Sequence, residues 1–204
     1  MKIGIIGLGL IGGSIYRDLI KLNYDVIAVS QSQNGNGIYK DYSVLKTCDI
    51  VFVCSPMNRT LQILDELENI LLSDTIVTDV CSLKQFVSQK KRPYKFIPSH
   101  PMAGTEHQGF ENSMEGLFSG KKWVVTPVWG NNEILMEIIE KLGAIPVITT
   151  PEKHDEAVAL ISHMPMLISQ AIFKTASENE LALKIASSGF RDMTRLALSN
   201  VEMA

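Results

Sequence analysis

Residues 3–14, read IGIIGLGLIGGS, constrain this chain more tightly than any other stretch. Three β-formers, Ile3, Ile5 and Ile6, run into Gly7-Leu8-Gly9-Leu10-Ile11-Gly12, and Ile15, Leu19 and Ile20 follow at helical spacing. In the order strand, turn, helix, each glycine of a G-x-G-x-x-G string has a physical job. Gly7 permits the tight turn, Gly9 lets a pyrophosphate approach the backbone, and Gly12 allows close packing of helix on strand. The unpaired N–H groups at the helix start then face the phosphates. Residues Gly7, Leu8, Gly9, Leu10, Ile11 and Gly12 are therefore the candidate dinucleotide cradle.

The chain has 204 residues, 46% hydrophobic and 20% charged, which is ordinary globular composition with room for one core or one domain plus part of another. A net charge of −3 and no basic run longer than Lys90-Lys91-Arg92 argue against a nucleic-acid surface, and that run reads as a solvated helix end. Cys48, Cys54 and Cys81 have no C-x-x-C spacing and read as reduced core residues of a cytoplasmic protein. Tyr16, Arg17 and Asp18 stand where a signal peptide would need small residues, and no apolar segment approaches the ~20 residues that cross a bilayer.

Along the chain, residues 25–30 (DVIAVS), 50–54 (IVFVC) and 75–80 read as strands, with a helix after Ser55-Pro56 to about Leu72 and Ser82 at the start of the next helix. Residues 31–47 carry Asn34-Gly35-Asn36-Gly37 turn chemistry and room for only a short helix near residues 42–46. Residues 96–98 lead into a loop, and 123–126 (WVVT) and 145–148 (IPVI), with a helix between them, extend the sheet. The expected fold is α/β: a Rossmann-type, doubly wound, mostly parallel sheet in residues 1–150, followed by a partial all-α segment in 151–204. That last segment opens at Thr150-Pro151-Glu152 and is broken or kinked by Pro165 near His163.

Ligands of such sheets sit outside the carboxyl ends of the strands. Ser55 with Pro56, Ser82 and His100 all follow strand ends and should share one edge. The second strand ends in Ser30-Gln31-Ser32 with no acidic side chain to accept from the ribose of NAD, so the cofactor tilts toward NADP over NAD, although no arginine is adjacent. His100, in the loop Ser99-His100-Pro101-Met102-Ala103-Gly104-Thr105-Glu106, is the titratable group at that edge. A neutral imidazole there can accept a proton from a substrate hydroxyl as hydride leaves, with a hydroxyl such as Ser82 to orient it; a satisfied structural histidine is the alternative.

Four further segments occur in order: Asp79-Val80-Cys81-Ser82-Leu83-Lys84, the His100 segment, Ile161-Ser162-His163-Met164-Pro165, and Ser187-Ser188-Gly189-Phe190-Arg191-Asp192-Met193-Thr194-Arg195. Together with the glycine turn they resemble the prephenate/arogenate dehydrogenase family of tyrosine biosynthesis over essentially the whole chain. The resemblance implies NAD(P)-dependent oxidative decarboxylation of a cyclohexadiene acid, redox chemistry that needs no metal, and no His, Cys or carboxylate cluster in the sequence has metal-ligand spacing. It implies that His100 is the catalytic histidine, that Ser82 assists it, and that Arg195 binds a substrate carboxylate. His163 matches a histidine on the substrate side, with a buried helix histidine as the alternative. Arg191 is a weaker substrate contact that an exposed salt bridge explains equally well. Lys84 and Thr105 are read as local supports, Thr105 beside the substrate, whereas His107 and His154 are read as surface residues. Glu106 and Asp192 are acids that would favour the ammonium of arogenate over the keto group of prephenate. Family members continue into further helices that form a homodimer, so this chain is expected to lack them, leaving dimerisation and activity open. Two other readings stay open: another small NADP-linked reductase acting on an imine or hydroxy acid, and a catalytically silent dinucleotide-binding module.

Overall fold

The computed structural model describes residues 1–105, 107–130 and 133–198. Its backbone divides into two compact units, Met1–His154 and Asp155–Ala204.

The first unit is built on a six-stranded, all-parallel sheet. Its strands in chain order are β1 (Lys2–Ile6), β2 (Asp25–Val29), β3 (Ile38–Tyr39), β4 (Ile50–Val53), β5 (Ile76–Asp79) and β6 (Lys95–Phe96), arranged in space as β3-β2-β1-β4-β5-β6. That is the doubly wound order, and its switch point lies between β1 and β4, where the glycine turn leaves the sheet. Helices α1 (Leu10–Lys21) and α2 (Met57–Leu67) and the single turn α3 (Lys84–Val87) make the crossovers. The central strands are buried on both faces. Ile3, Ile5, Ile50 and Phe52 pack toward Ile15 and Leu19 of α1 and toward Trp123. Ile6, Val51, Val53 and Val77 pack toward Ile63, Leu64 and Leu67 of α2. The continuous apolar runs in the sequence reflect this double burial.

The sheet is shorter than the sequence implies. Residues 122–125 and 145–148 do not extend it; as β8 (Lys122–Val125) and β9 (Ile145–Ile148) they form a second sheet with β7 (Ser99–Pro101), in the order β7-β8-β9. The helix between them is α4 (Glu133–Lys141). The break is local. Pro98 has no N–H for a ladder, and the next amide, Ser99, donates to the Asp79 carboxylate (3.3 Å) rather than to a strand. His100 therefore sits on a strand, opposite Val124 in an antiparallel pair, and not on a loop.

Two smaller corrections concern charge and length. Arg92 is not solvated: its side chain is 2% exposed and pairs with Asp65 and Glu68 at the end of α2. Helix α2 ends at Leu67 instead of near residue 72.

The second unit is helical. Helix α5 (Pro151–Val158) leads into it and continues through a π-helical turn (Ala159–His163) into α6 (Met164–Ser177), followed by α7 (Glu180–Ile185) and α8 (Ser188–Thr194). Pro165 does not break the run. Its missing N–H and the crowding of the carbonyl four residues back are absorbed by the wider π turn just before it. The unit holds itself together where Ala197 donates to Ser169 Oγ (2.9 Å) and Phe173 stacks on Phe190. The helical stretch Pro151–Ser177 is long and apolar enough by composition to cross a membrane, more so than the sequence pattern indicates. Ser162, His163 and Gln170 interrupt the apolar run within it.

Candidate active site

The cradle at the switch point has the shape its glycines require. Gly7 adopts φ +88°, and its N–H donates to Val29 O of the neighbouring strand (2.9 Å). A Cβ on Gly7 would strike the carbonyl oxygen of Cys54 at the end of β4. A Cβ on Gly12 would strike the carbonyl oxygen of Gly7 and lie 2.9 Å from Cys54 Cβ, so α1 packs against the turn only because residue 12 has no side chain. At Gly9, by contrast, a Cβ would meet nothing within 4 Å. Gly9 is the N-cap of α1, no side chain caps it, and the first turn holds no acid. An open, positively polarised helix start over a side-chain-free turn fits a pyrophosphate.

Beside it, the end of β2 carries a feature that sequence reading missed. Strand β3 lies parallel to β2 with Val29 opposite Tyr39, which returns Lys40 to the Ser30-Gln31-Ser32 segment. Lys40 Nζ donates to the carbonyls of Ser30 (2.9 Å), Gln31 (3.1 Å) and Gln33 (2.8 Å). Ser30 Oγ accepts from Gln33 N (3.1 Å). The loop that would face the adenosine ribose is thus folded around an ammonium. At the end of β4, Ser55 Oγ and Thr60 Oγ1 share a hydrogen bond (2.9 Å), fixing the Ser55-Pro56 entry to α2.

Two strands over, a buried network ties β5 to β7. Lys84 and Asp79 are both fully buried and pair at 2.5 Å. Asp79 also accepts from Cys81 N (2.9 Å), and Lys84 donates to Ser99 O (2.6 Å). Ser99 Oγ receives Trp123 Nε1 (2.9 Å) and lies 2.7 Å from Thr78 Oγ1. Burial, with Asp79 adding to it, pushes the Cys81 thiol up to about 12, so it stays protonated and unreactive. Ser82 is half-buried between this network and α3. Lys84 is thus the support its position suggested, and it holds the backbone next to His100.

His100 is half-buried, and its Nδ1 lies 2.9 Å from Nε2 of His154, the two rings meeting edge to face. His154, read from sequence as a surface residue, is 2% exposed in the first turn of α5. His107 is exposed, and its N–H donates to Thr105 Oγ1 (3.2 Å). In the second unit His163 occupies the π turn and is half-buried, while Arg191 and Asp192 of α8 and Arg195, just after it, are exposed. Glu106 and residues 199–204 lie outside the described residues. A groove of ≈ 730 Å³ along Gln85, Thr126, Ile148 and Pro151 contains none of the predicted site residues. Among the described residues no group of three or more His, Cys, Asp or Glu is placed to hold a metal ion.

Residues 30–148 match the family described as prephenate dehydrogenase, nucleotide-binding domain, and residues 150–204 match prephenate dehydrogenase, dimerization domain. A prephenate dehydrogenase of Bacillus subtilis is 31% identical over 97% of this chain and 60% of its own length. The chain spans about 60% of the length of the first two curated relatives it matches. Among solved structures, Synechocystis arogenate dehydrogenase superposes with a TM-score of 0.86 at 36% identity, over 100% of this chain and 81% of that one. Prephenate dehydrogenase from Aquifex aeolicus, in complex with hydroxyphenyl propionate and NAD+, gives 0.85 at 25% identity over 100% and 80%. With a strand-turn-helix cradle, a doubly wound sheet and family matches running from residue 30 to residue 204, the chain belongs to the prephenate dehydrogenase family.

Proposed function

We propose that this chain serves an NAD(P)-dependent dehydrogenase that oxidatively decarboxylates arogenate or prephenate to tyrosine or 4-hydroxyphenylpyruvate. The observation that carries it is the joining of two features at one sheet edge. The open glycine cradle ends β1, and His100 is fastened, through Asp79 and Ser99, to the end of β5. β5 lies two strand spacings from β1, or about 10 Å. The names of the relatives support the substrate class.

When bound, a nicotinamide dinucleotide supplies the oxidised ring that takes up hydride. The N–H groups of residues 9–12 would hold its pyrophosphate, Ser30, Gln31 and Ser32 its adenosine ribose, and Ser55 and Pro56 would line the same site. Arg195, assisted by His163, grips a substrate carboxylate with a planar fork of donors, and Arg191 and Thr105 are further substrate contacts. His100 accepts the proton of the ring hydroxyl while the C–H at that carbon leaves as hydride. The bond to the ring carboxylate then breaks, its electron pair aromatises the ring, and His100 returns the proton to the phenolic oxygen. Carbon dioxide is released, and the base ends as it began. Ser82 steadies the hydroxyl during transfer.

NADP is the favoured cofactor. Lys40 adds a positive charge beneath Ser30 and Ser32, and no acid occupies the end of β2 to repel a 2′-phosphate. Asp192 favours the ammonium of arogenate. The exposed apolar side chains of the helical unit, among them Leu160, Leu167, Phe173 and Ile185, suit a homodimer, in keeping with the description of the matched family.

Absorbance at the reduced-nicotinamide band, with each substrate paired with each cofactor, tests the reading. Arogenate with NADP is expected to turn over fastest, and His100→Asn to lower kcat steeply while leaving cofactor affinity nearly intact. Silence of all four pairings in a folded, cofactor-binding sample would refute the enzymatic claim.

A further inference from the structure

The proton-accepting role given to His100 demands one tautomer, and His154 is placed to select it. In the contact between His100 Nδ1 and His154 Nε2 (2.9 Å) only one of the two nitrogens can carry the shared proton. If His154 donates, His100 Nδ1 is the acceptor. A neutral His100 then carries its proton on Nε2, the nitrogen that the base role requires, and cannot take another there. If His100 donates, its Nε2 keeps a lone pair, and the ring can accept the hydroxyl proton and remain hydrogen-bonded as an imidazolium.

Fold and burial both favour a dedicated partner. His154 is 2% exposed, held in the first turn of α5 by its own N–H to Thr150 O (3.0 Å). His100 is held from the opposite side by the β7–β8 ladder and by the Asp79–Lys84–Ser99 network. Two rings anchored on separate rigid elements and meeting edge to face leave His100 little freedom to turn over its Nδ1 and Nε2.

We propose that His154 is a positioning residue: its Nε2 accepts the Nδ1 proton of His100, fixing the tautomer and ring orientation in which His100 Nε2 can act as base. This rests on the reading of His100 as the proton acceptor. Through its partner, His154 would do what a carboxylate or carbonyl commonly does for a catalytic or metal-bound histidine.

The test is nitrogen NMR of the histidine-labelled 204-residue chain, whose four histidines are assignable by single substitutions. The expected wild-type spectrum shows His100 protonated on Nδ1 and bare on Nε2. His154→Leu should shift His100 toward the other tautomer and lower kcat by about 10²-fold, the scale of a positioned base, with KM and dinucleotide affinity little changed. His154→Gln puts an amide oxygen near the lost Nε2, so it should restore the tautomer and most of kcat, which a merely structural role would not predict. A wild-type His100 protonated on Nε2 overturns the inference without any variant. So does a His154→Leu protein that is folded, with tautomer and kcat unchanged, while His100→Asn is inactive. If His100→Asn keeps full turnover, it is the base assignment itself that falls.

Discussion

Replacing Lys84 by methionine isolates what the buried pair contributes. Lys84 and Asp79 have no exposed side-chain surface, and their 2.5 Å contact is the centre of a buried hydrogen-bond network. The Asp79 carboxylate accepts from Lys84, from Cys81 N and from Ser99 N, while Lys84 also satisfies the Ser99 carbonyl. Methionine keeps most of the volume but strands a carboxylate in the interior with only two amide donors. Breaking a buried pair from one side costs about 3–5 kcal/mol, against a total stability of about 5–15 kcal/mol. Adding Asp79→Asn removes the stranded charge, so the double variant should lie closer to wild type, with a coupling of about 1–3 kcal/mol. Guanidinium unfolding followed by tryptophan fluorescence measures this at the right place, because Trp123 Nε1 donates to Ser99 Oγ (2.9 Å) in the same network. Because Ser99 precedes His100, a sample of Lys84→Met that stays folded should also lose kcat. A stability loss under about 1 kcal/mol, or two changes that simply add, would refute the view that this pair staples β5 to β7.

Gly12→Ala and Gly9→Ala separate packing from binding at the cradle. The added Cβ at residue 12 collides with Gly7 O, so stability and dinucleotide affinity should both fall, the affinity by about tenfold for each 1.4 kcal/mol of binding free energy lost. At residue 9 it meets nothing in the protein, so melting should be unchanged while affinity drops; equal melting losses would contradict the assigned roles. Burial holds the Asp18 carboxyl above its usual value, against the pull of the Gly116 amide, and its Oδ2 is buried without a protein hydrogen-bond partner. A raised folded value means stability present at low pH is lost as pH rises through it. Asp18→Asn should therefore stabilise the chain at pH 7 and progressively less toward pH 4, read from urea midpoints; a larger gain at the acid end would refute the sign.

What could be read from the sequence depended on how much of the physics was local. The β1 turn was legible because, within six residues, Gly7 and Gly12 answer steric demands of the chain and Gly9 leaves the helix start open, and β4 and β5 because burial on both faces leaves an uninterrupted apolar run. Strand β3, two residues long, and β7, three residues long, have no period to detect. Each omission hid a consequence. Without β3, Lys40 is simply a lysine ten residues past the serine that ends β2, although parallel pairing of Val29 with Tyr39 brings it back to that serine. Without β7, His100 reads as a loop histidine and its partner goes unsought. His154 lies 54 residues away in a helix start that reads Pro-Glu-Lys-His-Asp, polar enough to pass for surface. One signal was available. His154 falls three residues after Pro151 and four before Val158, the spacing of a single helix face, and Pro151 and Val158 are apolar. A titratable residue on the apolar face of a short helix must find a polar partner on whatever covers that face, because leaving it unpaired costs more than the burial returns. His100 meets that requirement at His154, and the same contact, with His100 as donor, keeps the His100 proton on Nδ1.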